Sequence, residues 1–180
     1  MSVFTNPASG SAEQAKAYTG AVLDLLGDRK PMDVLQAMPP ALRQILGGLT
    51  ERQITEPEAT GKWSAGQVVQ HLADSELVWG YRLRMVLAQD RPRLTGYDQD
   101  LWAERLRYDE ANAALAVDDF EVLRRSNLRL LAGAPHDAFK RVGVHAERGE
   151  ESVEHMIRLY AGHDLLHLAQ LDRIRRAVTR

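Results

Sequence analysis

Apolar residues recur along most of this chain at the spacing of an α-helix, and the alternation typical of β-strands is scarce. The clearest case follows Ser64, where Ser64 and Gln67 form the capping-box pattern that starts a helix. At about 100° per residue, one face of this helix gathers five apolar side chains: Val68, Leu72, Trp79, Leu83 and Val86. The pattern predicts a long amphipathic helix with one buried face.

The same spacing predicts three more long helices. The first runs from about Ser11 to Leu26 and ends near Gly27. The other two follow the Ser64 helix: one begins at a cap supplied by Asp118 or Asp119, and the last begins at Ser152.

The segments between these helices are predicted to be irregular or to contain only short helices. Pro39 and Pro40 break the stretch from Pro31 to Leu49, which is expected to form one or two short helices. A loop is predicted for "TEPEATGKW", and a loop running into a short helix for "RPRLTGYDQDLWAERL". An irregular connection is expected over "GAPHDAFKRVGVHAERGEE".

Four long amphipathic helices with two extended connections predict an all-α protein, a four-helix bundle with long crossovers and additional short helices in the connections. A chain of 180 residues fits a single domain, residues 1–180, with a sizeable buried core.

Charge and cysteine content narrow the possible functions. With 23 basic and 25 acidic residues, the net charge of −2 gives no general attraction to nucleic acid or to an anionic membrane. The absence of cysteine excludes disulfides, thiolate metal ligands and a cysteine nucleophile. Because the sequence shows neither a secretion-signal pattern nor about 18 consecutive apolar residues, we expect a cytoplasmic protein.

Two histidines, His163 and His167, lie in the middle of the apolar face predicted for the last helix, in "GHDLLHLAQL". Residues four apart point the same way on a helix, so the two imidazoles can share a metal ion. The alternative is a pair of ordinary, partly buried histidines. Because buried imidazole nitrogens need partners, a third ligand is expected from another helix that faces the same interior. His71, at the edge of the apolar face after Ser64, is the best candidate.

The remaining histidines are poorer candidates. His136 and His145 lie in the polar connection, and His155 is rotated by about 80° from His163 on the helix. Three histidines without cysteine are typical of a catalytic metal site that keeps one position open. Asp164, not glutamate, follows the first histidine of the pair, so the sequence does not support the zinc-protease mechanism of HExxH motifs.

The residues just described resemble those of a known family. "KWSAGQVVQHLADSE", followed about ninety residues later by "AGHDLLHLAQL", resembles the DinB-like superfamily, in particular its YfiT-type branch of small bacterial proteins. The similarity extends over about residues 63–175 and includes "YDQDLW" and "DDFEVLRRSNLRLL". It implies an up-down-down-up four-helix bundle in which His71, His163 and His167 bind one divalent metal ion.

The resemblance also suggests cofactors and a reaction. Members commonly contain zinc or nickel and commonly form homodimers. The better understood relatives transfer a low-molecular-weight thiol such as bacillithiol, or isomerise a substrate with mycothiol. A bound thiol would therefore be a second cofactor, but a shared fold does not transfer chemistry by itself.

Other polar residues on inward faces are candidates for a supporting role. Asp74 lies one turn from His71 and could accept a hydrogen bond from an imidazole. Ser75, Arg82, Arg124 and Asn127 could line a polar cavity above the metal, the two arginines binding a carboxylate of a substrate or thiol. Each arginine could instead extend outward or pair with a glutamate.

The leading hypothesis is a metal-dependent transferase or hydrolase in which three histidines hold the ion and leave a position for water or a thiol. This hypothesis implies a small-molecule substrate. A second hypothesis is a non-catalytic metal-binding bundle that serves ligand sensing or stability. A third is a metal-free helical interaction module. Trp63, Trp79 and Trp102 are expected to be packing residues.

Overall fold

The computed structural model describes residues 12–180, so Ser11, the predicted start of the first helix, lies outside the described residues. The described helices are α1 (Ala12–Leu26), α2 (Pro31–Gly47), α3 (Glu51–Thr55), α4 (Ala65–Ala88), α5 (Gln99–Arg105), α6 (Ala113–Ala132) and α7 (Val153–Val178), with 3₁₀-helices at Tyr108–Glu110 and His136–Lys140. The described strands are β1 (Arg93–Leu94), β2 (Val142–His145) and β3 (Gly149–Ser152). Among residues 12–180, no helix combines the length and apolarity that a membrane span needs.

Four helices pack around a common core and confirm the predicted four-helix bundle. Helix α4 packs against α6 and α7, and α2 packs against the same two helices from the other side. Helix α1, expected to be one of the four long helices, instead packs along α7. The two backbones approach closely at Gly162, where a Cβ atom would lie 2.2 Å from the carbonyl oxygen of Val22. Only glycine fits at that crossing.

Helix α2 corrects the prediction of short, broken helices between Pro31 and Leu49. It is continuous from Pro31 to Gly47 even though Pro39 and Pro40 lie inside it. Pro39 has no N–H to donate to the carbonyl of Leu35, four residues earlier. Arg124 of α6 supplies the missing donor, with Nη1 2.8 Å from that oxygen. A tertiary contact thus replaces the backbone bond that proline removes.

Two of the predicted helix starts are confirmed, and the predicted start of α6 is wrong. Ser64 and Gln67 form the predicted capping box of α4, and the Ser152 hydroxyl caps α7. Helix α6 begins at Ala113, not at Asp118 or Asp119. Its cap is Asn112, whose side-chain oxygen accepts from two backbone amides 3.0 and 3.2 Å away.

The connection between α6 and α7 was predicted to be irregular, but it contains a 3₁₀-helix and two β-strands. Strands β2 and β3 form an antiparallel hairpin, and β1 pairs parallel to β2. Gly149 starts β3 with φ +78, a conformation that favours glycine. This small sheet sits beside the bundle, where α4 and α7 contact β2 and β3 respectively.

Candidate metal centre

Three histidines from two helices converge inside the bundle. His71 belongs to α4, and His163 and His167 belong to α7. Nε2 of His163 lies 3.4 Å from Nε2 of His71 and 3.1 Å from Nε2 of His167. One ligand nitrogen from each of the three lies within 4.8 Å of the others. The structure therefore brings together the three residues that the sequence analysis singled out.

The spacing of these nitrogens fits a shared ion. Two ligands about 2.1 Å from a tetrahedrally coordinated ion lie about 3.4 Å apart, close to the observed 3.1 and 3.4 Å. Direct hydrogen bonds cannot satisfy all three nitrogens, because each neutral imidazole carries one N–H and one lone pair. An ion accepts all three lone pairs at once.

Gln170 sets the tautomer of His167. Its side-chain oxygen lies 2.8 Å from Nδ1 of His167. An amide oxygen only accepts hydrogen bonds, so Nδ1 carries the proton and Nε2 presents its lone pair to the other two histidines. Partners of this kind fix the orientation of metal-binding imidazoles. Nδ1 of His71, by contrast, is buried and has no hydrogen-bond partner among residues 12–180.

The three imidazoles are uncharged at neutral pH. Burial holds the pKa of His71 and of His163 well below the ordinary value of 6.5, and the nearby His167 lowers both further. Burial also lowers the pKa of His167 to about 4, although the hydrogen bond to Gln170 opposes the shift. Neutral imidazole is the form that binds metal ions.

A small cavity of about 40 Å³ opens beside the histidines. Its walls include His71, His163, Ser75, Arg82 and Tyr160. The expectation that Ser75 and Arg82 face a polar cavity next to the histidine site is therefore met by the structure.

Asp74 does not contact the histidines' ring nitrogens. Its carboxylate accepts a 2.5 Å hydrogen bond from the Tyr108 hydroxyl and a 3.4 Å bond from Gln70. The predicted hydrogen bond from an imidazole to Asp74 is not formed: Nδ1 of His71, one turn away on the same helix, has no partner. Tyr108 in turn packs edge-on against Trp63, whose ring lies 5.2 Å from that of His71.

Arg124 and Asn127 form a separate buried network with two carboxylates. Arg124 donates to Asp164 at 2.6 Å and to Glu76 at 2.8 Å, and Asn127 donates to Glu76 at 2.8 Å. All four residues are 1% exposed. This corrects the expectation that Arg124 and Asn127 line the cavity: neither is among its lining residues, and both donate to carboxylates inside the protein. We call Glu76, Arg124, Asn127 and Asp164 the arginine network.

The other histidines do not join the site. His136 lies in a 3₁₀-helix, and His155 lies in the first turn of α7. His145 is buried on β2, where its Nδ1 accepts from the backbone amide of Glu147 at 3.2 Å. Within residues 12–180, His71, His163 and His167 form the only cluster spaced to hold an ion.

The tryptophans have different surroundings. Trp79 is fully buried and stacks on Tyr160, with ring centroids 4.6 Å apart, as expected of a packing residue. Trp102 is in contact with Tyr97 and lines an apolar groove.

Sequence reasoning missed several residues at the site. Gln170 could have been found, because it lies three residues after His167 and hence on the same side of the helix. Tyr97, Gln99 and Arg148 also line the cavity but come from connecting segments. The motif "YDQDLW", part of the family resemblance, contains Tyr97 and Gln99. No periodic pattern places either of them, or Arg148, beside the histidines.

Comparison with known proteins agrees with this geometry. A family model described as the DinB superfamily matches residues 35–171. The chain is 28% identical over 148 residues to "Putative metal-dependent hydrolase YfiT" of Bacillus subtilis (strain 168), covering 82% of this chain and 83% of that protein. It is also 28% identical over 137 residues to "Putative metal-dependent hydrolase OB0782" of Oceanobacillus iheyensis, covering 76% and 79%.

The same relationship holds in three dimensions. The solved structure of YfiT from Bacillus subtilis, described as having an unusual four-helix bundle topology, superimposes with a TM-score of 0.76 at 27% identity. The match covers 81% of this chain and 84% of that one. With the family model spanning most of the chain and the bundle and histidine cluster in place, this protein belongs to the DinB superfamily.

Proposed function

We propose that this protein is a metal-dependent enzyme whose ion is held by His71, His163 and His167. The observation that carries the proposal is the approach of three neutral imidazole nitrogens to one point beside a cavity. The names of the relatives, which describe metal-dependent hydrolases, support the same function. Zinc and nickel are the first candidates, because members of the resembled family commonly contain them and imidazole binds both.

The donor set favours catalysis over a purely structural ion. Structural zinc sites are usually closed by four protein ligands, whereas three ligands leave a position for water or substrate. Here the described residues offer three ligands, and the cavity lies next to them. A divalent ion in such a position lowers the pKa of a bound water or thiol and polarises an electrophile.

The cavity walls bear on which reaction takes place. Tyr160 donates its hydroxyl to the carbonyl of Ser75 at 3.3 Å and so holds the wall between α4 and α7 in place. Among the described residues that line the cavity, none is a carboxylate that could serve as a general base. Attack by a thiol that is already ionised needs no such base, which favours transfer of a low-molecular-weight thiol as a second candidate beside hydrolysis.

Metal analysis tests the site. After loading with zinc or nickel and removal of excess, elemental analysis should find about one ion per chain, and His167→Ala should contain far less. His155→Ala is a matched control, because this histidine lies on the same helix but outside the cluster; it should keep its ion. Stoichiometric metal in His167→Ala would contradict the assignment.

A reaction screen separates the two chemistries. The metal-loaded protein is mixed with electrophiles, with and without bacillithiol, cysteine or glutathione, before and after chelation. Loss of turnover on chelation is expected in either case; turnover that survives verified metal loss would contradict the proposal. Product formation only with a thiol supports transfer, and product formation without one supports hydrolysis. A non-catalytic metal-binding bundle would show metal binding and no turnover.

The family resemblance further suggests a homodimer in the cytoplasm. Both remain part of this proposal, and light scattering of the purified protein measures the first directly.

A further inference from the structure

Arg82 is a buried cation without a countercharge. It lies on α4, is 5% exposed and lines the cavity beside His71 and His163. Its Nη2 donates to the backbone carbonyl of Thr95. No carboxylate among residues 12–180 lies within ion-pair distance of its guanidinium, although many other arginines form such pairs. Residues 1–11 contain no acidic residue.

Two other arginines that are largely buried do have a carboxylate partner within the protein. Arg124 is paired with Glu76 and Asp164. Arg148, which also lines the cavity, is paired with Glu151. Buried charges in folded proteins are normally paired in this way, because removing an ion from water is costly. Arg82 departs from the rule at the cavity wall, where a ligand can supply the missing charge.

The remaining groups on the cavity wall also suit an anion. Tyr18 lines the cavity, and burial raises the pKa of its hydroxyl, which therefore stays protonated and can donate a hydrogen bond. The carboxylate of Glu151, which binds Arg148, does not line the cavity. The planar guanidinium of Arg82 on this wall suits a carboxylate, which accepts two parallel N–H bonds from such a group.

Arg82 and Tyr97 also form one end of a larger, apolar groove. This second space measures about 400 Å³. Its other walls come from α4 and from the segment after it, and they include Leu77, Tyr81 and Trp102. Because two residues are common to both spaces, a ligand whose charged group meets Arg82 has an apolar surface directly beside it.

We propose that the substrate is a small organic acid with an apolar body, its carboxylate paired with Arg82 in the cavity and its apolar part in the groove. The proposal rests on the proposed function, because it places this acid next to the histidine site. Arg82 is a substrate-binding residue in this arrangement. Its planar guanidinium, with one nitrogen held by Thr95, keeps further N–H groups available for a carboxylate.

Binding measurements on the full-length chain test this without relying on turnover. Calorimetric titration of hexanoate and phenylacetate should give binding to the wild type, and hexanamide, which is neutral, should bind at least tenfold more weakly. Arg82→Gln, which retains an amide donor, should lose about 10- to 100-fold in affinity for the acids. Arg125→Gln, at an exposed arginine on α6, is the control and should bind like the wild type.

Thermal unfolding adds a readout that a structural role would not produce. Without ligand, Arg82→Gln should melt at or above the wild-type temperature, because the variant removes an uncompensated charge; hexanoate should raise the melting temperature of the wild type only.

Equal binding by Arg82→Gln, equal binding of hexanamide, or no binding of either acid by the wild type would each overturn the proposal. Repeating the titration after chelation separates the two proposals: acid binding that depends on Arg82 stands even if metal analysis shows no ion.

Discussion

Two polar clusters are buried inside the bundle, and they differ in whether groups of opposite charge or groups of the same kind face one another. In the arginine network, two carboxylates surround one guanidinium, and Asn127 donates to one of them. In the histidine cluster, three nitrogens of the same kind face one another. His163 and Asp164 are neighbours in sequence, yet each belongs to a different cluster. In the first cluster the chain itself supplies groups of opposite charge, whereas the second presents imidazole nitrogens whose lone pairs a metal ion would accept.

This contrast gives a criterion for interpreting buried polar residues. A cluster whose donors and acceptors match one another stabilises the fold and offers nothing to a ligand. In a cluster of like groups beside a cavity, donors or acceptors lack partners within the protein, and such a cluster is a candidate binding site. By this criterion, Arg124 belongs to a structural cluster, whereas Arg82 and the three histidines are the candidate functional residues.

The largest expected effect is acid sensitivity of the metal-free histidine cluster. The folded-state pKa values of its histidines are depressed, to about 4 for His167, so the unfolded chain binds more protons below pH 6.5. Their contribution to stability is complete above pH 6.5 and is lost as the pH falls toward 4. Between pH 6.5 and 5, each buried histidine should cost about 2 kcal/mol of unfolding free energy.

Urea unfolding of chelated protein at several pH values measures this loss. His71→Ala is the comparison variant, since it lacks one of the titrating groups and should lose about 2 kcal/mol less over the same range. Identical pH profiles for variant and wild type would show that the imidazole of His71 is not neutral and buried as the structure indicates.

Next in size is the loss of the central cation of the arginine network. Arg124→Leu leaves Glu76 and Asp164 buried without a countercharge and should lower the unfolding free energy by about 3–5 kcal/mol. Arg125→Leu, at the neighbouring exposed arginine, should change it by no more than about 0.5 kcal/mol. Denaturant unfolding of both variants gives the two values.

A triple variant still gives a stability measurement if Arg124→Leu does not fold. Adding Glu76→Gln and Asp164→Asn removes the stranded charges, so the triple variant should be more stable than Arg124→Leu alone. If Arg124→Leu is as stable as Arg125→Leu, the carboxylates of Glu76 and Asp164 do not depend on the charge of Arg124, and the proposed contrast between the two clusters is wrong.

The smallest effect concerns the partner that orients His167. Gln170→Ala removes the acceptor at Nδ1 and should weaken zinc binding by about 10- to 100-fold without removing a ligand. Gln170→Glu retains an acceptor and should bind zinc at least as tightly as the wild type. Competition with a chromophoric chelator measures all three affinities; unchanged affinity in Gln170→Ala would mean that the hydrogen bond does not support the site.

Features encoded by neighbouring residues were predictable from the sequence. The helix starts at Ser64 and Ser152 depend on a cap and the amides three residues away, and the shared face of His163 and His167 depends on one helical turn. These interactions are local, so the residue types and their spacing suffice. His71 could be added because it lies on the inward side of a predicted helix.

Features that depend on distant contacts were not predictable. The continuity of α2 through Pro39 requires a guanidinium from α6. Tyr97 and Arg148 reach the cavity from connecting segments whose course is determined by the β1–β2–β3 sheet. For Arg124, the spacing placed the side chain inside correctly, but only the folded chain shows that Glu76 and Asp164 already occupy its donors.

The bond between Arg124 and the carbonyl of Leu35 makes the effect of one substitution depend on another. Pro39 frees that carbonyl, and Arg124 occupies it. A chain that exchanged Pro39 for alanine would regain the backbone bond, and the loss of Arg124 would then remove one fewer interaction. The two positions are therefore epistatic: the order in which a lineage changes them determines how much stability each step removes, and arginine at 124 should persist wherever proline at 39 does.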